Sequence, residues 1–339
     1  MTDASVFTIP LTKGFGGEQT LLSSEEFTVT AWTYNSGVDA VRITNSRGFV
    51  EVLPFLGQII WEANFDGRSL TMKNMFTQPK PANVIVDTYG CFAFHSGLLA
   101  AGCPAPDDTH PLHGEFPCAP YDAAWLEVTA DTVAISGSYT YVQGFGHHYT
   151  AVPTVRLGTG ETEFDIDLKV TNNSAYQPMP LQYMCHMNYA YVDDAEFGGN
   201  LPADAFRLRE SVPAHVTPTS EWTAFNAEIS GKPYPALVDP EKYDPEIVWF
   251  ADDLPRYGRD IEVTMGDYFA RFDSAEFPVA TRWVLHNADQ QVAAFVLPGT
   301  SRPEGFNAAR AAGTLIELGA GETRTFHVRT GQRLSLIHI

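Results

Sequence analysis

The regular alternation of apolar and polar residues over short segments constrains the fold of this chain more than any other feature. In residues 163–171 (EFDIDLKVT) every second position is apolar, and residues 132–142 follow a similar pattern. Successive side chains of a β-strand point to opposite faces, so each segment predicts a strand with one buried and one exposed face. An apolar sheet face has to be covered by another layer, which indicates packed sheets.

Turn sequences separate the strands and predict hairpins. Residues 27–34 and 38–44 flank the sequence NSG, and residues 314–318 and 324–328 flank GAGE. Short connections of this composition join antiparallel strands. Both pairs are therefore predicted to form hairpins.

Helical patterns are few and short. Residues 202–210 and 308–312 each predict a turn or two of helix, while residues 216–248 are polar, contain prolines, and predict an excursion over the surface beside a pocket. Many short strands joined by turns are typical of sandwiches and barrels. We predict an all-β fold, a large antiparallel β-sandwich, with residues 1–333 as a single domain.

The last six residues, 334–339 (LSLIHI), are expected to lie outside that domain. They resemble the translation of a transposon end used in preparing sequencing libraries. We interpret them as a non-native tail and leave them out of the fold prediction.

Charge and hydropathy argue against several classes of partner. The 339 residues carry a formal net charge of −20, and a surface without excess basic charge does not neutralise the phosphates of nucleic acids or anionic membranes. No apolar run is long enough to span a bilayer, and the first residues lack the pattern of a signal peptide. We expect a cytoplasmic protein that is a monomer or a homodimer.

The cysteines and histidines do not form a recognisable metal site. None of the four cysteines belongs to a CxxC pair, which favours free thiols in a reducing compartment. His147 and His148 are adjacent, and in a strand they would point to opposite faces. The sequence also lacks nucleotide-binding motifs and a nucleophile elbow, so we expect neither a metal nor a cofactor.

Two histidine segments have the composition of a sugar pocket. His113 follows a glycine-rich loop and precedes a glycine, which allows a tight turn that aims the imidazole at a cleft. In residues 181–191 (LQYMCHMNYAY), His186 and Asn188 share one strand face. Tyr189 adds an aromatic ring, and sugars bind to a few placed polar groups and apolar planes. Each segment alone also fits a loop or core histidine without such a role.

Charged residues near these segments are further candidates. Arg302 and Glu304 lie on the loop that follows an apolar strand at 292–296, and Glu115 lies two residues after His113. Loops at strand ends commonly carry functional groups. The alternative interpretation of the 297–305 loop is an exposed charged turn.

Taken in order, these segments resemble the aldose 1-epimerase (galactose mutarotase-like) superfamily, in a branch of unknown specificity. The resemblance extends over residues 45–330. It rests on LPFLGQIIW at 53–61, HG at 113–114, LG at 157–158, DLKVTN at 167–172, HMNYAY at 186–191, GTL at 313–315 and LGAGE at 318–322.

The resemblance implies a mutarotase-type β-sandwich that interconverts the α and β anomers of an aldose without a cofactor. A base removes the anomeric hydroxyl proton and an acid protonates the ring oxygen, so the ring opens and recloses on the other face. By resemblance, His186 is the acid and His113 bonds the sugar near its anomeric oxygen. Histidine suits these roles because its pKa lies near neutrality.

The chain departs from the family pattern at the position of the catalytic base. The family glutamate lies in a strand-end E-P-x-[TN] motif, whereas this chain reads LPGT from Leu297. Leucine cannot accept a proton, and Glu304 or Glu115 is a candidate to replace the carboxylate. The departure keeps two other functions open: a non-catalytic carbohydrate-binding protein and a sugar isomerase.

The leading hypothesis is an aldose 1-epimerase-like enzyme that acts on a small-molecule carbohydrate. We expect two imidazoles from distant segments to face one cleft of sugar size. The catalytic candidates are His186, His113 and Glu304, and the substrate-binding candidates are Asn188, Arg302, Glu115 and Tyr189.

Overall fold

The computed structural model describes residues 6–213 and 216–333, so the tail interpreted at 334–339 lies outside the described residues. Its strands are β1 (Phe7–Leu11), β2 (Gln19–Ser23), β3 (Thr28–Thr33), β4 (Asp39–Asn45), β5 (Gly48–Leu53), β6 (Ile59–Phe65), β7 (Arg68–Ser69), β8 (Ala93–Leu98), β9 (Ala123–Val128), β10 (Thr132–Val142), β11 (His148–Gly158), β12 (Glu163–Asn172), β13 (Met179–Met187), β14 (Phe197–Gly199), β15 (Arg207–Leu208), β16 (Ile247–Ala251), β17 (Asp260–Met265), β18 (Tyr268–Asp273), β19 (Val279–His286), β20 (Gln291–Gly299), β21 (Ile316–Leu318) and β22 (Thr323–Gln332). The α-helices are α1 (Ser220–Ile229) and α2 (Phe306–Ala311), and short 3-10 helices cover Ile85–Thr88, Pro240–Tyr243 and Leu254–Tyr257.

The strands form two antiparallel sheets, which confirms the predicted all-β sandwich. The smaller sheet has nine strands in the order β1-β9-β10-β11-β12-β22-β18-β17-β14. The larger sheet has thirteen, in the order β15-β16-β19-β20-β13-β8-β6-β5-β4-β3-β2, with β21 beside β13 and β7 beside β6.

Strand β12 shows how alternation produces the sandwich. Its buried apolar side chains are Phe164, Ile166, Leu168 and Val170. Phe164 packs against Phe65 of the larger sheet and against Phe92, which directly precedes β8, with ring centroids 6.1 and 5.8 Å apart. Burying a large apolar side chain contributes about 1.5–3 kcal/mol, so the alternating pattern both selects the strand and holds the sheets together.

Strand β13 separates two environments. Tyr183 and Cys185 are buried toward the smaller sheet, where the Tyr183 ring lies 4.9 Å from that of Phe326 in β22. Met184 and His186, one residue out of phase, point to the opposite face of the larger sheet. The pleat of this central strand therefore places His186 outside the hydrophobic core, on the face that carries the cavity described below.

Two local predictions, a hairpin between strands adjacent in sequence and a turn of helix, are confirmed. The hairpin predicted from 27–34 and 38–44 is confirmed as β3 paired with β4, and the turn of helix at 308–312 is confirmed in α2. The hairpin predicted around GAGE is wrong. β21 pairs with β13, whereas β22 pairs with β12 on one side and with β18 on the other. Because both edges of β22 are occupied, neither is left for β21.

Two helix predictions also need correction. Residues 202–210 contain turns and β15 rather than helix, since β15 pairs with β16 as Arg207 opposite Phe250. The predicted excursion at 216–248 contains α1, which the sequence analysis missed. Thr219 caps this helix by accepting a hydrogen bond from the Trp222 backbone amide, a pattern that favours helix initiation.

Substitution of Tyr189 tests the hydrogen bonds that join the two sheets. Its hydroxyl is fully buried, 2.6 Å from Thr330 Oγ1 of the smaller sheet and 3.2 Å from the Gly331 carbonyl oxygen. We expect Tyr189→Phe to lower the free energy of unfolding by about 1 kcal/mol, measured by urea denaturation. The matched control is Tyr176→Phe, which changes an exposed hydroxyl and should leave stability unchanged; equal effects of the two substitutions would contradict the assignment.

Candidate functional site

A cavity of about 610 Å³ lies on the face of the larger sheet that points away from the smaller one. Sites for small molecules commonly enclose roughly 300–1,000 Å³, so its size suits a sugar. Loops supply the walls. The floor comes from neighbouring strands: Met184 and His186 of β13, Thr281 and Trp283 of β19, Leu297 of β20 and Val248 of β16.

The two candidate imidazoles meet at this cavity. The rings of His113 and His186 have centroids 5.0 Å apart and are nearly perpendicular. Phe94 lies opposite His186 in the β8–β13 register and stacks on it, with centroids 4.5 Å apart. Both histidines are less than a tenth exposed and line the cavity. Segments 73 residues apart therefore bring two imidazoles to one place.

The loop that carries His113 depends on left-handed backbone. His113 has φ +65° and Gly114 has φ +82°. A Cβ on Gly114 would lie 2.0 Å from the carbonyl oxygen of Ala100, so only glycine fits. The loop is fixed by the His113 amide, which donates to the Gly102 carbonyl at 2.8 Å, and by Ser96 Oγ, 3.0 Å from His113 Nδ1.

Burial keeps His186 neutral. Removal from water lowers the pKa of His186 well below its usual value, and positive charge on His113 lowers it further. The Asn188 side chain acts in the opposite direction. At neutral pH the resting His186 imidazole is thus neutral and able to accept a proton.

A buried carboxylate in the wall was missed from the sequence. Glu246 accepts hydrogen bonds from Arg209 Nη2 at 2.8 Å and from Trp283 Nε1 at 2.7 Å. The side chains of Arg209 and Glu246 are each about a tenth exposed. The available signal was an acidic residue directly before the fully buried strand β16, at the end of the segment that we expected beside the pocket.

Tyr89 is a second residue that the sequence analysis missed. Its hydroxyl lies 3.4 Å from His186 Nε2. Its ring contacts those of His186 and Trp283 edge-on, with centroids 6.1 and 6.2 Å apart. Burial raises the pKa of Tyr89 well above its usual value, so the hydroxyl stays protonated and can donate to the imidazole. No local motif marks Tyr89, which reaches the site from the end of a 3-10 helix.

The structure does not bring Glu304 or Arg302 into the cavity lining. Glu304 accepts from Ser211 Oγ at 2.6 Å and pairs with Arg302. Arg302 also pairs with Asp252, Nε to Oδ1 at 2.8 Å. These residues form an ion-pair cluster on the surface, because the loop turns outward after Pro303, which does line the cavity.

Three other substrate-binding candidates lie away from the lining. Glu115 accepts from the backbone amides of Leu98 and Leu99, each at 3.0 Å, and from the Tyr149 hydroxyl at 2.8 Å. Tyr189 points to the smaller sheet, because it is out of phase with His186. Asn188 shares the face of His186 but lies deeper, fully buried beside it.

The family base position is apolar in three dimensions as well. Leu297 lies opposite Thr281 in the β19–β20 register and lines the cavity floor. Apolar and aromatic residues provide most of the remaining lining. The floor therefore offers no carboxylate where the family pattern places one.

Other features of the described residues bear on function. The four cysteines are free. Within residues 6–213 and 216–333, no cluster of three or more histidine, cysteine or acidic side chains is arranged to hold a metal ion. In the same ranges, no helix has the length and hydropathy needed to cross a bilayer.

Solved structures share this architecture. A protein from Klebsiella pneumoniae subsp. pneumoniae, provisionally described as an aldose 1-epimerase, superposes with a TM-score of 0.80 over 97% of this chain and 91% of its own, at 16% identity. The chain has the galactose mutarotase-like fold. A galactose mutarotase-like protein from Clostridium acetobutylicum gives 0.60 over 92% and 100% at 12% identity, and one from Lactobacillus casei gives 0.57 over 87% and 100% at 14%.

The galactose mutarotase-like assignment rests on structure. No protein-family model matches the sequence, and no curated protein matches it. At such low identities the likeness establishes the fold, so the chemistry has to be argued from the cavity itself.

Substitution of Gly114 tests the backbone conformation of the loop that carries His113. We expect Gly114→Ala to destabilise the protein by about 1–3 kcal/mol, because alanine is strained at this positive φ and collides with the Ala100 carbonyl. Chemical denaturation measures the change. Gly144→Ala is the control, since a Cβ there meets nothing within 4 Å; a stable Gly114→Ala protein would show that the loop is not built as described.

Proposed function

We propose that this protein interconverts the anomers of a neutral monosaccharide bound in the cavity, as an aldose 1-epimerase-like isomerase. The observation that carries the proposal is the pair of imidazoles 5.0 Å apart at the floor of a cavity of sugar size. Anomer exchange needs one group to take a proton and another to give one, and neutral pH suits histidine for both.

The lining favours an uncharged sugar. Among the described lining residues the only guanidinium belongs to Arg209, and it is paired with Glu246. A phosphate or carboxylate on the substrate would have to compete with Glu246 for it. The Glu246–Arg209 pair instead offers acceptors and donors for sugar hydroxyls, while Trp283 and Tyr89 provide aromatic surface for the sugar's C–H groups.

The neutral state of His186 indicates which imidazole is the base and which is the acid. His186 is neutral at neutral pH and would take the proton of the anomeric hydroxyl through Nε2. His113, in its protonated form, would donate a proton to the ring oxygen. The C1–O5 bond then breaks, the C1–C2 bond rotates, and reclosure returns both protons, so the pair ends in its starting state.

This allocation reverses the role that resemblance assigns to His186. The reversal follows from the leucine at position 297, because no carboxylate occupies the family base position. Glu246 in the wall is already engaged by Arg209 and Trp283, so we assign the base to an imidazole. Glu304 and Glu115, the replacements considered from sequence, are engaged by Arg302 and by backbone amides outside the lining. The proposal therefore needs no carboxylate to accept a proton.

Removal of either imidazole should abolish most of the activity. We expect His186→Ala and His113→Ala each to reduce accelerated anomer exchange by roughly 10²–10⁴-fold, the usual contribution of general acid–base catalysis. NMR exchange spectroscopy over a panel of aldoses measures the rate. His148→Ala changes an exposed histidine outside the cavity and serves as the control. Wild-type activity in both cavity variants would exclude the mechanism.

The rate should depend on pH in a bell shape. Burial lowers the pKa of His186, so its base form persists below pH 6.5 and is lost only on further acidification. On the alkaline side, activity should fall because the proposed proton donor has to be in its protonated form. Exchange rates from about pH 4 to 10, corrected for the uncatalysed reaction, measure both limbs. An acid limb that lies above pH 6.5 would contradict a neutral buried His186.

A second candidate function is carbohydrate binding without turnover. The leucine in the cavity floor favours it, because an apolar residue occupies the family base position. The same sugar panel separates the two functions. Saturable binding with no accelerated exchange for any sugar supports the binding protein, and exchange that requires His186 supports the isomerase.

A further inference from the structure

We propose that Asn188 is a positioning residue that holds His186 as the Nδ1-protonated tautomer, which leaves Nε2 as the atom that accepts a proton in the cavity. The catalytic consequence rests on the proposed function. The tautomer is a property of the protein alone and can be measured without a substrate.

The Asn188 side chain is held in one orientation. It is fully buried, and its Nδ2 donates to the Cys91 carbonyl oxygen at 3.0 Å. The Asn188 backbone is fixed as well, since its amide donates to the Phe92 carbonyl and its own carbonyl accepts from Met72. With the amino group committed to Cys91, the carbonyl oxygen Oδ1 is the end of the amide that remains to face another group.

Two buried polar atoms next to the cavity, one on Asn188 and one on His186, could complement each other. Asn188 Oδ1 and His186 Nδ1 are both buried, and neither has a hydrogen-bond partner among the described residues. The two residues are separated by one position in an extended segment, so their side chains share a face. The shared face and the two unpartnered buried atoms place an acceptor beside the imidazole, and interaction with Asn188 raises the pKa of His186, as an acceptor would.

The cost of leaving a buried polar atom unpaired selects the tautomer of His186. A buried polar atom without a partner costs about 1–3 kcal/mol. A proton on Nδ1 satisfies that nitrogen and Oδ1 together, whereas a proton on Nε2 would leave two acceptors facing each other. The free lone pair then lies on Nε2, which faces the Tyr89 hydroxyl at 3.4 Å on the cavity side.

A neutral amide suits a base that has to stay unprotonated. An aspartate at this position would also accept from Nδ1, but its charge would raise the pKa of His186 and favour the imidazolium form. Asparagine orients the ring without that charge. Other titratable or charged groups around the imidazole and the cavity are His113, Tyr89, Cys91, Cys103, Glu246 and Arg209.

The first test is the tautomer itself. Long-range ¹H–¹⁵N correlation spectra of the protein labelled at histidine nitrogens distinguish the two forms, and His186→Ala assigns the signals. We expect a proton on Nδ1 in the wild type and loss of that preference in Asn188→Ala. Tyr89→Phe removes the hydroxyl at Nε2 and should keep the Nδ1 proton. A wild-type proton on Nε2, or a preference lost in Tyr89→Phe but kept in Asn188→Ala, would overturn the proposal.

The second test separates positioning from folding. Asn188→Asp retains an acceptor, so it should keep the tautomer and move the acid limb of the rate profile to higher pH. Asn188→Ala should lower kcat at least about tenfold, part of the 10²–10⁴ that acid–base catalysis contributes, with KM changed less than twofold. An unshifted acid limb in Asn188→Asp would count against the assignment. If the wild type accelerates no exchange, the proposed function fails, while the spectra still decide the tautomer.

Discussion

The pleat of one central strand determines the arrangement of the whole molecule. In β13, residues in one phase pack into the core between the sheets, and residues in the other phase reach the cavity floor. A shift by one residue would exchange these sets, placing His186 in the core and Cys185 in the cavity. Packing of Tyr183 against the smaller sheet, with its ring 4.9 Å from Phe326, therefore also fixes the side of the sheet that His186 faces.

The cavity combines groups that depend on each other's charge. Burial and the charge of His113 keep His186 neutral, and Arg209 compensates the carboxylate of Glu246 in an otherwise apolar wall. An unpaired charge in such surroundings would be costly. The leucine at position 297 fits this pattern, because it adds no further charge to the cavity floor.

Sequence reasoning found what local patterns encode. The strand alternation, the β3–β4 hairpin and the segments that carry His113 and His186 were all visible along the chain. Glu246 and Tyr89 were not, because they reach the cavity through long-range packing and no motif surrounds them. The position of Glu304 outside the lining was not visible along the chain for the same reason: its loop makes contacts with residues distant in sequence, a Ser211–Glu304 hydrogen bond and an Arg302–Asp252 ion pair.

By itself, the sequence determined the all-β class, the faces of individual strands and the identity of the two imidazoles, since a strand's apolar period and a glycine-dependent turn are local properties. Only the tertiary structure decided the partners of β21 and β22, the pairing of Glu246 with Arg209, and the neutral state of His186. Strand partners depend on competition among all available edges, and a pKa depends on burial and on charges from distant segments, so neither is written in any single stretch of the chain.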